Sequence, residues 1–231
     1  MRIEKDENYK KYYIIFSLLL FSFATTFVDL IVHPNYFVKI SIKIILFILI
    51  PSIYFIIFKK EAKDLKNIFK FNTKGILLSI FLGILIFATI IGGYFLTNNL
   101  FDYSNVSNNL TSGMGITKSN FMYVAIYITI INSFLEEFFF REFGFIELKK
   151  QTNFKFANLF SSICFAIYHV GMSIGSFKLV LLIIIILALL FAGLIFNTLI
   201  KKYKNIYIPW IVHIFTDAAI MIVGTILFNI N

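Results

Sequence analysis

Long apolar runs separated by short polar stretches set the plan of the chain. Runs of spanning length lie at about 12–32, 38–58, 75–98, 121–146, 156–173, 177–199 and 206–229, each close to the roughly 20 residues that cross a hydrocarbon core at 1.5 Å per residue. They are continuously apolar and lack the period-two alternation of a barrel strand, and a backbone in lipid must satisfy its polar groups internally. The pattern predicts an all-α, polytopic membrane protein with about seven transmembrane helices in one bundle around a buried polar cavity. The longest polar segments, Lys59–Lys74 and Leu100–Asn120, are too short for separate domains. One continuous membrane domain is expected, with helices one to three and their loops in residues 1–120 and a core of helices four to seven in 121–231.

Each connecting stretch has its own character. In Lys59–Lys74, Leu65, Ile68 and Phe69 recur at helical spacing between lysines, as in an amphipathic segment lying on a membrane surface. Leu100–Asn120 is rich in Asn, Ser and Gly and reads as a flexible outer loop. The first apolar run follows a basic N-terminus, but it is long and carries no small-residue cleavage site, so it is expected to be retained. Cys164, the single cysteine, has no disulfide partner in the chain and reads as a small buried hydrophobe.

Composition sharpens this plan and removes one class of function. Hydrophobic residues make up 59% of the 231 and charged ones 14%, yet the net charge is +9. The basic residues are segregated: of the 21 Lys and Arg, 16 fall in Arg2–Lys11, Lys59–Lys74, Lys149–Lys155 and Lys201–Lys204, which share one side when the N-terminus is cytoplasmic. Only Lys39, Lys43, Lys118 and Lys178 fall on the other side and its flanks, with Arg141 inside a helix. The positive-inside rule then predicts a multi-pass protein of the cell membrane with a cytoplasmic N-terminus and an external C-terminus. The basic excess reports orientation and contact with anionic lipid, so no nucleic acid partner is expected.

Ionisable groups at membrane depth cost roughly 2.5–3.5 kcal/mol on insertion scales, so each needs a partner or a task. Apart from Asp29 and His33 near the outer end of the first helix, they are Glu136, Glu137, Arg141 and Glu142 on helix four, His169 on helix five, and His213 and Asp217 on helix seven. Glu137 and Arg141 are four apart and share a face, whereas Glu136 lies about 100° away with Asn132 one turn back. Arg141 is therefore expected to hold Glu137 and leave Glu136 available; the other reading places both acids in one interhelical ion-pair network. Ser162, Phe165 and His169 form one stripe on helix five, where a histidine can also be a simple packing residue. His213 and Asp217 share a face with Trp210, and this pair can also simply bond to each other. At 1.5 Å per residue, His213 lies roughly 10 Å from its cytoplasmic helix end, Glu136 about 15–18 Å and His169 about 20 Å. They can share one cavity, and a carboxylate with two imidazoles around buried water makes a hydrolytic site.

Three ordered motifs carry a family resemblance. EEFFFR (Glu136–Arg141) fits E-E-x-x-x-R, FAIYH (Phe165–His169) fits F-x-x-x-H, and HIFTD (His213–Asp217) fits H-x-x-x-N/D. With them, the chain resembles the CAAX protease and bacteriocin-processing (CPBP, or Abi) family of intramembrane endopeptidases over roughly Tyr123 to Asn229. Eukaryotic members cleave prenylated CAAX proteins, and many bacterial ones are linked to bacteriocin self-immunity, peptide maturation or cleavage of membrane regulators. The resemblance implies that Glu136 and His169 activate water, that His213 with residue 217 holds the oxyanion, and that Glu137, Arg141 and Phe165 support the site. Asn at 217 would donate to an oxyanion, whereas Asp217 must be protonated, orient His213 or bind a metal. The H-E-x-x-H signature is absent. Metal-free glutamate catalysis without a cofactor is the favoured expectation, and Zn²⁺ or another divalent metal held by Glu136, His169, His213 and Asp217 is the alternative. The expected partners are membrane lipid and a membrane-associated peptide or protein substrate. A non-catalytic bacteriocin-immunity or interaction protein on the same scaffold is the competing class, while a channel is disfavoured because the polar groups do not line a continuous path.

Overall fold

A computed structural model describes residues 2–32, 34–59, 65–70, 72–101, 103, 106 and 116–230. His33, Lys60, Lys63 and most of the Leu100–Asn120 loop, Asn108 included, lie outside the described residues. Every regular element described is helical. Seven helices are long and apolar enough to span a membrane: α1 (Glu7–Val32), α2 (Tyr36–Ile57), α3 (Thr73–Thr97), α4 (Phe121–Gln151), α5 (Phe154–Ser173), α6 (Leu179–Tyr203) and α7 (Tyr207–Leu227). The protein is thus an all-α, polytopic membrane protein, and the seven apolar runs of the sequence correspond one to one with these helices.

Asparagine side chains start three of them. Asn35 accepts from Val38 N at 3.0 Å, Asn72 from Gly75 N at 2.9 Å and Asn153 from Phe156 N at 3.0 Å. Each satisfies one of the amides that a helix start leaves without a carbonyl. At the α6–α7 connection, Lys204 takes a left-handed conformation with φ of 48°, and Pro209 sits in the first turn of α7, where its missing N–H costs no helical bond.

The side chains are sorted for lipid. Phe16, Phe23, Phe81, Leu85 and Phe191 are exposed on the outside, whereas Ser22, Ser79, Ser133, Ser161, Ser162 and Asn197 are completely buried. Small and polar residues favour helix contacts where lipid supplies no hydrophobic drive. Asn197 of α6 donates to Ser162 Oγ at 3.1 Å and to Asn158 O at 3.2 Å on α5. A seam of rings joins the first two helices to the rest: Phe21 of α1 lies 4.6 Å from Phe47 of α2, 4.5 Å from Phe139 of α4 and 5.5 Å from Tyr168 of α5, between centroids. Cys164 is buried, as its apolar surroundings require.

In the Lys59–Lys74 segment, the regular part among the described residues is one short 3₁₀ stretch, Leu65–Phe69. Ile68 is buried and its carbonyl accepts from Ile206 N at 3.0 Å, while Asn205 donates to the carbonyl of Lys70. The stretch is anchored to the α6–α7 connection because its backbone there finds partners that a free surface turn would take from water.

Candidate active site

Helix α4 changes its winding where the two glutamates lie. Tyr127–Asn132 and Glu137–Glu147 are π-helical and bracket a single α-helical turn, Ser133–Glu136. Such widened turns are rare and concentrate at functional sites. Neighbouring helices donate to carbonyls within them: Trp210 Nε1 of α7 to Ile130 O at 3.2 Å and Ser161 Oγ of α5 to Phe140 O at 2.6 Å.

This winding gives the adjacent acids different surroundings. Glu137 is wholly buried between Arg141 of its own helix and His213 of α7, accepting from Arg141 Nε at 3.1 Å through Oε2 and facing His213 Nδ1 at 2.9 Å through Oε1. Arg141 is also wholly buried, its guanidinium carbon 4.2 Å from the ring centre of Phe165 and 5.3 Å from that of Phe196. Glu136 is 2% exposed and holds no cation within hydrogen-bonding distance. Its Oε1 accepts from Asn132 Nδ2 at 2.5 Å and from Tyr168 OH at 3.1 Å. Its Oε2 has no hydrogen-bond partner among the described residues and faces His169 Nε2 at 3.7 Å and His213 Nε2 at 3.8 Å.

Glu136, His169, His213 and Asp217 all line one cavity of about 190 Å³, together with Phe165. Asp217 Oδ1 stands 3.6 Å from His213 Nε2, beyond a hydrogen bond. The carboxylate that His213 bonds is Glu137 on another helix, so the local His213–Asp217 pair is not its primary partnership. His169 Nδ1 lies 2.8 Å from the carbonyl of Phe165. A carbonyl only accepts, so Nδ1 carries hydrogen and a neutral His169 presents the Nε2 lone pair to the cavity. His213 Nδ1 faces a carboxylate oxygen, so it too carries hydrogen. Ser162, the third member of the α5 stripe, bonds Asn197 and does not line the cavity. Among the described residues, no group of three or more His, Cys, Asp or Glu side chains is arranged to hold a metal ion.

Three cavity residues escaped the reading of the sequence. Tyr168 sits beside His169 in FAIYH and holds Glu136, its polar tip being the available signal. Lys39 and Lys43, expected on the outer side and its flanks, are 4% and 7% exposed inside the bundle and line the same cavity. Lys39 pairs with Asp29 of α1 at 2.8 Å.

Residues 118–219 match the family model described as type II CAAX prenyl endopeptidase, Rce1-like. No curated protein and no solved structure matches the chain. The matched stretch contains Glu136, Glu137, Arg141, His169, His213 and Asp217 in the order and on the helices just described, and over it the chain is similar to the CAAX protease family.

Proposed function

We propose that the chain is an intramembrane endopeptidase that hydrolyses a peptide bond of a membrane-associated protein or peptide, with Glu136 as the base that activates water. The reading rests above all on one observation: a buried carboxylate with one oxygen fixed by Asn132 and Tyr168 and the other facing two histidine nitrogens at 3.7 and 3.8 Å. Those separations exceed direct hydrogen bonds and match groups bridged by one water molecule.

In the reaction, Glu136 Oε2 takes a proton from the water while the neutral His169 Nε2 accepts from its other hydrogen and orients it. The water oxygen bonds to the carbonyl carbon, and the carbonyl π electrons move onto its oxygen. A doubly protonated His213 donates from Nε2 to that oxyanion, its Nδ1–H remaining on Glu137, and a protonated Asp217 adds a second donor. The oxyanion then collapses, the C–N bond breaks, and the amine nitrogen takes the proton held by Glu136. Tyr168 and Asn132 keep the carboxylate aimed, and Arg141 holds Glu137 in place against His213. Substrate is met from the cytoplasmic leaflet when the N-terminus is cytoplasmic. Bacteriocin maturation or self-immunity is one biological setting in which this activity would serve.

The test is Glu136→Gln in the full chain, purified in detergent and assayed on a prenylated peptide ending in a CAAX motif. The variant should elute and melt like the wild type while cleavage falls by roughly 10²–10⁴. Undiminished cleavage would remove Glu136 from the chemistry. A bacteriocin-immunity phenotype that survives the substitution would mean that the chain acts by binding.

A further inference from the structure

Lys43 is a buried cation for which the proposed chemistry has no use. It lies one helical turn from Lys39 on α2, is 7% exposed and lines the cavity that holds Glu136. Lys39 is matched by Asp29 at 2.8 Å. Lys43 forms no ion pair among the described residues; Nζ has only Met172 Sδ at 3.8 Å and the face of the Tyr168 ring, 4.5 Å from its centre. A thioether is a weak acceptor, so the ammonium is left largely unsatisfied in a place where burying charge is costly.

Asp29 and Glu136 act on Lys43 from a distance, and among the described residues none gives it a direct ion pair. Asp29 is bonded to Lys39, Glu136 to Asn132 and Tyr168, and neither lies within ion-pairing distance of Lys43. Tyr168 presents its ring face to Lys43 and its hydroxyl to Glu136. The ammonium and the candidate base thus occupy distinct stations in one cavity, whose other walls include the apolar Ile40, Leu189, Ala192 and Ile220. A ligand suited to it combines an apolar body with one negative group held away from the reacting carbonyl.

We infer that Lys43 is a substrate-binding residue that receives a carboxylate of the peptide undergoing cleavage, a deepening that rests on the endopeptidase reading above. Peptides offer two sources of this chemistry, the terminal carboxylate and an Asp or Glu side chain. An ammonium–carboxylate bond formed in a buried cavity is charge-assisted and strong, and it supplies the direct partner that the protein itself withholds.

Binding is measured by dansyl fluorescence anisotropy on the full chain in detergent with three probes: dansyl-Leu-Leu-Leu as the free acid, the same peptide as its carboxamide, and dansyl-Leu-Glu-Leu carboxamide. The wild type should bind the acid about tenfold more tightly than the first amide. In Lys43→Met and Lys43→Gln that preference should shrink to about twofold or less, and Lys43→Arg should keep most of it. Recovery of tight binding by the Glu-containing amide identifies a side-chain carboxylate as the source; its failure identifies the C-terminus. Equal binding of the acid and both amides by the wild type overturns the inference, as does a preference that survives both neutral variants or an acid that does not bind. A counter-ion acting only on Glu136 would change the acid and the amides alike. No turnover is read, so failure here leaves the Glu136→Gln result standing, and a failure there leaves this one standing.

Discussion

Replacing Arg141 by methionine tests the division of labour between the two glutamates more directly than any change at the cavity itself. Arg141 leads by volume among the wholly buried side chains, and its Nε–Glu137 contact of 3.1 Å joins two groups with no exposed side-chain surface. Removing one member of such a buried pair costs roughly 3–5 kcal/mol, because the remaining charge keeps its desolvation penalty. His213 still bonds Glu137 at 2.9 Å and moderates the loss, but the guanidinium's packing between Phe165 and Phe196 disappears, worth roughly 0.5–2 kcal/mol. Against a total stability on the order of 5–15 kcal/mol, the loss is large enough to reduce folded yield visibly. The assay is a double-mutant cycle over Arg141→Met, Glu137→Gln and the pair, read by fluorescence-detected gel filtration and thermal melting in detergent. Each single variant should melt well below the wild type, and the double variant should recover much of the loss because no unpaired charge remains. Single variants that fold normally but do not cleave, or a double variant as poor as the sum of the singles, would refute the structural pairing of Glu137 with Arg141.

Asp217→Asn should retain cleavage and chelators should have little effect if Asp217 acts as a protonated donor, since Asn also donates; inhibition by both, reversed by added Zn²⁺, would favour the metal alternative. Gly171→Ala should lower the melting temperature, because a Cβ there would stand 2.8 Å from Asp29 Cβ and 3.0 Å from the Thr26 Cα, an overpacking worth roughly 1–3 kcal/mol; an unchanged melt would contradict the close approach of α1 and α5. Single cysteines introduced at positions 66, 202 and 108 in a Cys164→Ala background should be labelled from the cytoplasm at the first two and from outside at the third, and the opposite pattern would reverse the orientation.

The seven spans were legible because lipid imposes one rule on every residue that crosses it: apolar outside, backbone bonds within. The pairing of Glu137 with Arg141 was legible because both lie on one helix at a spacing that brings them together. What lay between helices was harder. His213 has a carboxylate four residues away, yet it bonds Glu137 across the bundle, and sequence spacing speaks only of the first relationship. Lys39 and Lys43 lie near the end of an apolar run, where composition cannot tell a snorkelling lysine from one turned into a cavity. The π winding of α4 left no trace because a few polar residues over two turns do not distinguish 3.6 from a wider repeat.

The ring seam of Phe21, Phe47, Phe139 and Tyr168 binds the first two helices and the motif-bearing α4 and α5 into one heritable unit. Tyr168 contributes both to that seam and to the carboxylate of Glu136, so a change of ring size on α1 or α2 is transmitted to the aim of the base two contacts away. Exchange of the first helices between relatives would therefore create chimaeras whose halves disagree about where Tyr168 belongs, unless the matching rings travel with them. Diversification of the N-terminal helices must then proceed in step with the helices that carry the motifs, even though no motif lies there.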